Sequence, residues 1–174
     1  HRMSGRSAGP FIAVNCATLK DALMESEMFG HEKGAFTGAV VQRKGRVEMA
    51  EAGTLFLDEV GELQLPLQAK LLRLIQERQF ERLGGSRSLK ADVRFLAATN
   101  RDLKQEILAG RFREDLFYRL KVVALELPPL RDRRDDIPLL VSHFIGKAAF
   151  ACKRKVFGIS PAAREVLLKH DWPG

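Results

Sequence analysis

Two cysteines in 174 residues, Cys16 and Cys152, exclude a disulfide scaffold and a thiolate zinc framework, and a reducing compartment is the simplest setting for them. The four histidines, His1, His31, His143 and His170, are scattered without metal-ligand spacing, so no zinc site is expected. No Ser/His/Asp or Cys/His nucleophile arrangement stands out. Cys16 follows a short apolar run among neighbours that suit a small buried residue better than a thiolate. The sequence contains no signal-like segment, no apolar run long enough to cross a bilayer, no internal repeat and no low-complexity stretch, so a soluble intracellular protein is expected. What is present is ordinary globular composition, 45% hydrophobic and 29% charged residues, at a length that suits one domain or one domain plus a piece of a second. The net charge of +7 favours acidic partners such as nucleotides, nucleic acid or acidic protein surfaces, although solubility explains it equally well.

The stretch Gly53–Gly61, GTLFLDEVG, organises the rest. Thr54, Leu55, Phe56 and Leu57 read as a strand buried on both faces of a parallel sheet, and they run straight into Asp58 and Glu59. Ligands collect at the carboxyl ends of such strands. The first acid can hold Mg²⁺, directly or through water, and the second can orient or deprotonate an attacking water. A pair of acids ending a strand in solvent fits the same string.

Strands are expected at Phe11–Val14, Val93–Ala98 and Val122–Leu127, the last closed by Pro128 and Pro129. Helices are expected at Asp21–Phe29, over Arg46–Ala52 as a short turn, at Leu65–Gln79, and at Leu103–Ala109 with Gly110 as its stop; FREDLFYRL, Phe112–Leu120, follows. Pro66 suits a first helical turn, and Leu67, Leu71, Leu74, Ile75 and Arg78 share one side of the clearest amphipathic helix. Thr99 and Asn100 end one strand and can sense a phosphate or position water; Asn100 can equally cap the helix that begins near Asp102. Arg113 and Arg119 flank Asp115 and can either neutralise a phosphate or form surface ion pairs. Gly30–Gly38, GHEKGAFTG, suits a mobile finger carrying Phe36 to a partner, but composition alone favours a tight turn with Phe36 tucked inward. Leu83–Ser88 is a polar glycine turn. Leu130–Pro138 is a mixed-charge connector read as a boundary, and Leu139–Ala151 plus a helix capped by Ser160 form a small helical region.

GAFTGA at Gly34–Ala39, GTLFLDE at Gly53–Glu59, ATN at Ala98–Asn100, FREDLFYRL at Phe112–Leu120 and LPPLRDRRDDIPLL at Leu127–Leu140 occur in an order that resembles the AAA+ ATPase domain of bacterial sigma-54-dependent transcriptional activators, the enhancer-binding proteins. The resemblance covers essentially the whole chain, and GAFTGA is its most specific part. It implies an α/β fold with a P-loop-type parallel sheet flanked by helices over residues 1–130 and the start of a helical lid over 131–174. It implies ATP and Mg²⁺ as ligands, with Asp58 the magnesium residue, Glu59 the acid that activates water, and Asn15 a switch residue restraining that acid. Thr99 and Asn100 would sense the nucleotide. Arg113 and Arg119 would act in trans across the interface of a ring homo-oligomer, usually a hexamer. Gly34, Ala35, Phe36, Thr37, Gly38 and Ala39 would grip the sigma-54 factor, which reverses the inward reading of Phe36, and the Leu83–Ser88 turn resembles a second pore-side loop. A bacterial cytoplasmic protein without membrane contact is implied, reaching promoter or enhancer DNA through domains outside these residues.

No GxxxxGK[ST] phosphate loop occurs in the sequence, and the resemblance places one just upstream. These 174 residues alone are therefore expected neither to bind ATP tightly nor to hydrolyse it. The strands at Val93 and Val122 are expected to show unpaired edges that would make the isolated piece unstable. A non-enzymatic regulator and an AAA+ motor with another substrate are the rival readings; four intact charged positions, Asp58, Glu59, Arg113 and Arg119, argue against the first and GAFTGA against the second.

Overall fold

A strand buried on both faces needs a hydrogen-bonded neighbour on each side, and the computed structural model, which describes residues 1–18, 21–156 and 158–173, supplies both. In chain order the elements are β1 (Phe11–Asn15), α1 (Asp21–Phe29), β2 (Gly30–His31), β3 (Arg43–Lys44), α2 (Arg46–Met49), β4 (Thr54–Asp58) and α3 (Leu65–Glu77), followed by β5 (Gln79–Glu81), β6 (Ser88–Lys90), β7 (Arg94–Ala97), α4 (Leu103–Leu108) and α5 (Glu114–Leu120). A second unit, Ala124–Gly174, carries α6 (Ile137–Ala151) and α7 (Pro161–Lys169); the first unit is His1–Val123.

The sheet is parallel with order β1-β4-β7. Thr54, Leu55 and Leu57 have no exposure, as the apolar run in the central strand requires. Leu71 and Leu74 of α3 are fully buried and Leu67 is 5% exposed, so the predicted apolar side of this helix faces the core. Arg78 takes the left-handed conformation (φ 56°), ends α3 two residues short of the predicted Gln79, and donates through its guanidinium to the Val93 carbonyl at 2.6 Å. The chain then enters an antiparallel hairpin, β5–β6, whose three-residue strands are too short to give a period-two signal.

One predicted strand is corrected. Val122–Leu127 joins no ladder among the described residues, and Val122, Val123, Leu125 and Leu127 are 80–87% exposed. The sequence has strand composition, but composition makes a strand only where a neighbour completes the hydrogen bonds. The edge of β7 away from β4 likewise has no ladder partner among the described residues.

In the second unit, the segment read as a boundary contains two 3₁₀ turns, Leu130–Asp132 and Arg134–Asp136, and α6 begins at Ile137, inside it. Ser160 caps α7 through Oγ, which accepts the Ala163 N–H at 3.2 Å, with Pro161 in the first turn. No helix among the described residues is long and apolar enough to cross a membrane.

Candidate functional site

The register of the parallel strands sets their polar ends side by side. Asn15 pairs with Asp58, and Leu57 with Ala97. Backbone bonds carry both ladders past the strand ends: the Cys16 N–H donates to the Asp58 carbonyl and the Val60 N–H to the Ala98 carbonyl, each at 2.9 Å. Asn15, Asp58, Glu59 and Thr99 therefore share the carboxyl edge of one sheet, the region where open α/β sheets bind ligands.

Glu59 is the strained member. Its φ of 54° and ψ of 44° lie in the left-handed region, which costs a residue with a Cβ about 1–2 kcal/mol. This turns the chain from β4 into a 3₁₀ turn, Val60–Glu62. The Glu59 Oε2 is buried and accepts no hydrogen bond from the described residues, a costly arrangement unless a donor is supplied. Asp58 Oδ1 accepts the Glu59 N–H at 3.1 Å.

Thr99 and the turn after Glu59 are in direct contact. A Cβ on Gly61 would stand 2.9 Å from Thr99 Oγ1 and 3.2 Å from Arg101 Cδ, so glycine is what permits the approach. Nothing in the sequence singles out Arg101, yet it pins this corner. Its N–H donates to Thr99 Oγ1 at 3.1 Å, its guanidinium reaches the Gly61 carbonyl at 3.2 Å, and it pairs with Glu62 at 2.5 Å. Asn100 is exposed and does not cap the following helix: Asp102 does, accepting the Lys104 and Gln105 N–H groups. A side chain two residues nearer the helix supplies the cap, which corrects the capping alternative for Asn100.

Asn15 Oδ1 accepts the Ala17 N–H at 2.9 Å, and among the described residues it forms no bond to Glu59. Cys16 is 3% exposed; burial, then the negative fields of Asp58 and Glu59, push its thiol up to about 12. It stays protonated at neutral pH and supplies no nucleophile.

Arg113 is the N-cap residue of α5 and Arg119 lies in its last turn. The Arg113 guanidinium grips Asp115 through two bonds, at 3.0 and 2.7 Å, and holds that carboxyl below the usual range. Both groups are exposed, so solvent screens the pair and it is readily exchanged for another anion. Arg119 is exposed and makes no ion pair among the described residues. Neither arginine bonds Asp58 or Glu59 of its own chain within those residues.

The Gly34–Ala39 segment lies between β2 and β3 as a closed turn. The Gly34 N–H donates to the Ala39 carbonyl at 2.8 Å and the Ala39 N–H to the Phe36 carbonyl at 3.0 Å. Gly34 and Gly38 have φ of 83° and 104° with open space where a Cβ would be, so backbone conformation alone requires them. Phe36 is half-buried, its ring edge-on to His31 with centroids 5.1 Å apart, and His31 is bonded through Nδ1 to Ser26 Oγ at 2.7 Å. Phe36 is thus neither in the core nor free of the protein surface. Thr37 is exposed and Ala39 buried.

The hairpin turn braces this loop. Leu83 exchanges backbone bonds with Gly30 and Glu32, and Ala35 packs on Gly84, where an added Cβ would stand 2.7 Å from Ala35 Cβ. Arg82 binds both oxygens of Glu48, each at 2.7 Å, and Glu32 at 2.8 Å. Arg82→Met is expected to cost about 3 kcal/mol by stranding the Glu48 carboxylate, read as a lower denaturation midpoint. The Arg82 bonds hold the Glu48 carboxyl below its ordinary value near 4.5. Stability from this group is present above 4.5 and fades as pH falls through the lowered folded value, so Arg82→Met should flatten that acid limb.

A parallel sheet with an acid pair and polar strand ends along its carboxyl edge, in a chain that also carries a separate helical unit, is the architecture of an AAA+ α/β domain with its lid. A family model described as the Sigma-54 interaction domain matches residues 1–126, and one described as the AAA+ ATPase lid domain matches residues 131–174. The chain belongs to the Sigma-54 interaction domain family. It is 58% identical over all 174 residues to the Nif-specific regulatory protein of Herbaspirillum seropedicae and to the regulatory protein AtoC of Escherichia coli (strain K12), of which it covers 32% and 38%. Crystal structures of NtrX from Brucella abortus are 42% identical across 100% of the chain: one superposes with a TM-score of 0.91, covering 38% of that chain, and one in complex with ATP with a TM-score of 0.88, covering 37%. The chain thus spans 32–38% of the length of these proteins.

Proposed function

We propose that the full-length protein couples ATP hydrolysis in a ring oligomer to remodelling of sigma-54 RNA polymerase for promoter opening. The observation that carries this is the shared carboxyl edge, where Glu59, with its partnerless Oε2, follows Asp58 and opens the turn whose Gly61 packs against Thr99. A buried carboxylate oxygen lacking a donor suits a group that must accept a proton or orient water. NtrX, solved in complex with ATP and with ADP, supports the nucleotide assignment.

The residues also fit a magnesium ion. Mg²⁺ is commonly held by one or two carboxylates together with substrate phosphates, and Asp58 ends β4 at the sheet's carboxyl edge. Asp58 would hold it, since among the described residues its carboxylate accepts only the Glu59 N–H of roughly four lone-pair directions. When bound, it would neutralise charge on the nucleotide's phosphates.

The chain's own groups do the rest. Glu59 takes the proton of the attacking water at its partnerless oxygen. Thr99 and Asn100 sense the terminal phosphate, and Arg101, bonded to both Thr99 and Gly61, holds Thr99 against the turn after Glu59. Arg113 and Arg119, from the neighbouring subunit, stabilise charge spreading over the transferred phosphoryl oxygens. Asn15, paired with Asp58 in register, restrains Glu59 in other nucleotide states by exchanging its Ala17 bond. The Gly34–Ala39 loop carries Phe36 to the sigma-54 factor; leaving its edge-on contact with His31 exposes the ring. Domains outside these residues contact DNA. Activity belongs to the full-length protein, because these 174 residues contain no phosphate-loop sequence to grip the β and γ phosphates.

The experiment is Phe36→Ala in the full-length protein, assayed for sigma-54 capture and ATP turnover. Capture should fall at least about tenfold, the loss of one buried aromatic anchor, with turnover unchanged within about twofold. Equal capture by the variant would reject the loop's role.

A further inference from the structure

Gln68 sits fully buried on the core side of α3, among Leu67, Leu71 and Leu74. A polar side chain at such a position has to be explained by its partners. All three are backbone groups: Nε2 donates to the Leu63 carbonyl at 2.7 Å and to the Arg111 carbonyl at 2.9 Å, and Oε1 accepts the Arg113 N–H at 2.8 Å. Leu63 ends the 3₁₀ turn that follows Glu59, and Arg113 is the N-cap residue of α5. The amide faces two carbonyls with its nitrogen and one N–H with its oxygen, so a flip would break every bond it makes. Its orientation is therefore fixed.

We propose that Gln68 is a positioning residue that couples a subunit's own acid pair to the arginine that subunit presents to its neighbour. The proposal rests on the reading that Arg113 acts in trans. When Glu59 engages or releases its ligand, the turn ending at Leu63 shifts, and the three-point Gln68 brace carries that shift to the Arg113 backbone. The guanidinium then moves at the adjacent nucleotide site. A second link between the same segments runs over the surface from Glu62 through Arg101 and Glu106 to Arg111. Its ion pairs are partly exposed and screened, whereas the Gln68 side chain is fully buried and its bonds to three backbone groups hold geometry more firmly.

A double-mutant cycle between Gln68→Met and Arg113→Ala in the full-length protein tests this, with kcat, KM for ATP and thermal midpoint measured for each variant. Gln68→Met should lower kcat about 10- to 100-fold, the scale of a small misplacement of a catalytic group, with KM within about threefold. In the Arg113→Ala background it should change kcat by less than about twofold, because the group it positions is gone. Multiplicative losses in the double variant overturn the coupling and leave the trans arginine standing. An Arg113→Ala variant with parental kcat overturns the trans reading, and the proposal with it. Gln68→Asn, which keeps the amide but is one methylene too short to span all three partners, enters the same cycle if Gln68→Met does not fold. Failure of both to fold makes Gln68 a core residue only and overturns the proposal.

Discussion

In the full-length protein, Glu59→Gln should lower ATP turnover by about 10³-fold, within the range for removing a positioned general base, while nucleotide affinity changes by no more than a few-fold. Glutamine keeps the length and shape of the side chain, so the left-handed turn and the contact between Gly61 and Thr99 survive. Charge and basicity are lost. Substitution of a residue whose Oε2 is buried without a donor removes a desolvated carboxylate, so the variant should unfold no more readily than its parent. That separates the outcome from a folding defect. Stopped turnover with ATP retained in the ring, followed by nucleotide titration and product release, is the expected result; turnover within tenfold of the parent would remove Glu59 from the chemistry.

The sheet and the residues at its carboxyl edge were legible because parallel strands advertise themselves. Thr54–Leu57 is apolar on both faces, and the residues that follow such a strand fall at its carboxyl end whatever surrounds them. Side-chain partnerships were not legible, since they depend on distant segments. Asn15 holds Ala17 and not Glu59, Asp102 and not Asn100 caps α4, and Phe36 rests against a histidine that Ser26 fixes. Gln68 did leave a signal: it lies three and seven residues before Leu71 and Ile75, a polar interruption on the apolar side of a helix. Its meaning needed the backbone of Leu63, Arg111 and Arg113, brought together only by the fold. Val122–Leu127 failed for the opposite reason: residues with strong strand preference have no ladder among the described residues to join.

Arg113→Ala should lower turnover by about 10³-fold or more, as for loss of an arginine that meets phosphoryl charge across an interface. In the proposed mechanism the exposed Asp115 pair is a resting place, because a screened guanidinium would exchange one carboxylate for a phosphate at little cost. The decisive measurement is a mixture. If the protein forms the proposed ring, one made only of Glu59→Gln subunits would lack the base at every site, and one made only of Arg113→Ala subunits would lack the guanidinium at every site. Mixed in equal amounts, about a quarter of the head-to-tail interfaces join an intact acid pair from one variant to an intact Arg113 from the other. Turnover should then rise well above that of either parent variant. If both groups served the same subunit's nucleotide, every site in the mixture would still lack one of them, and turnover would stay at the level of the two separate rings.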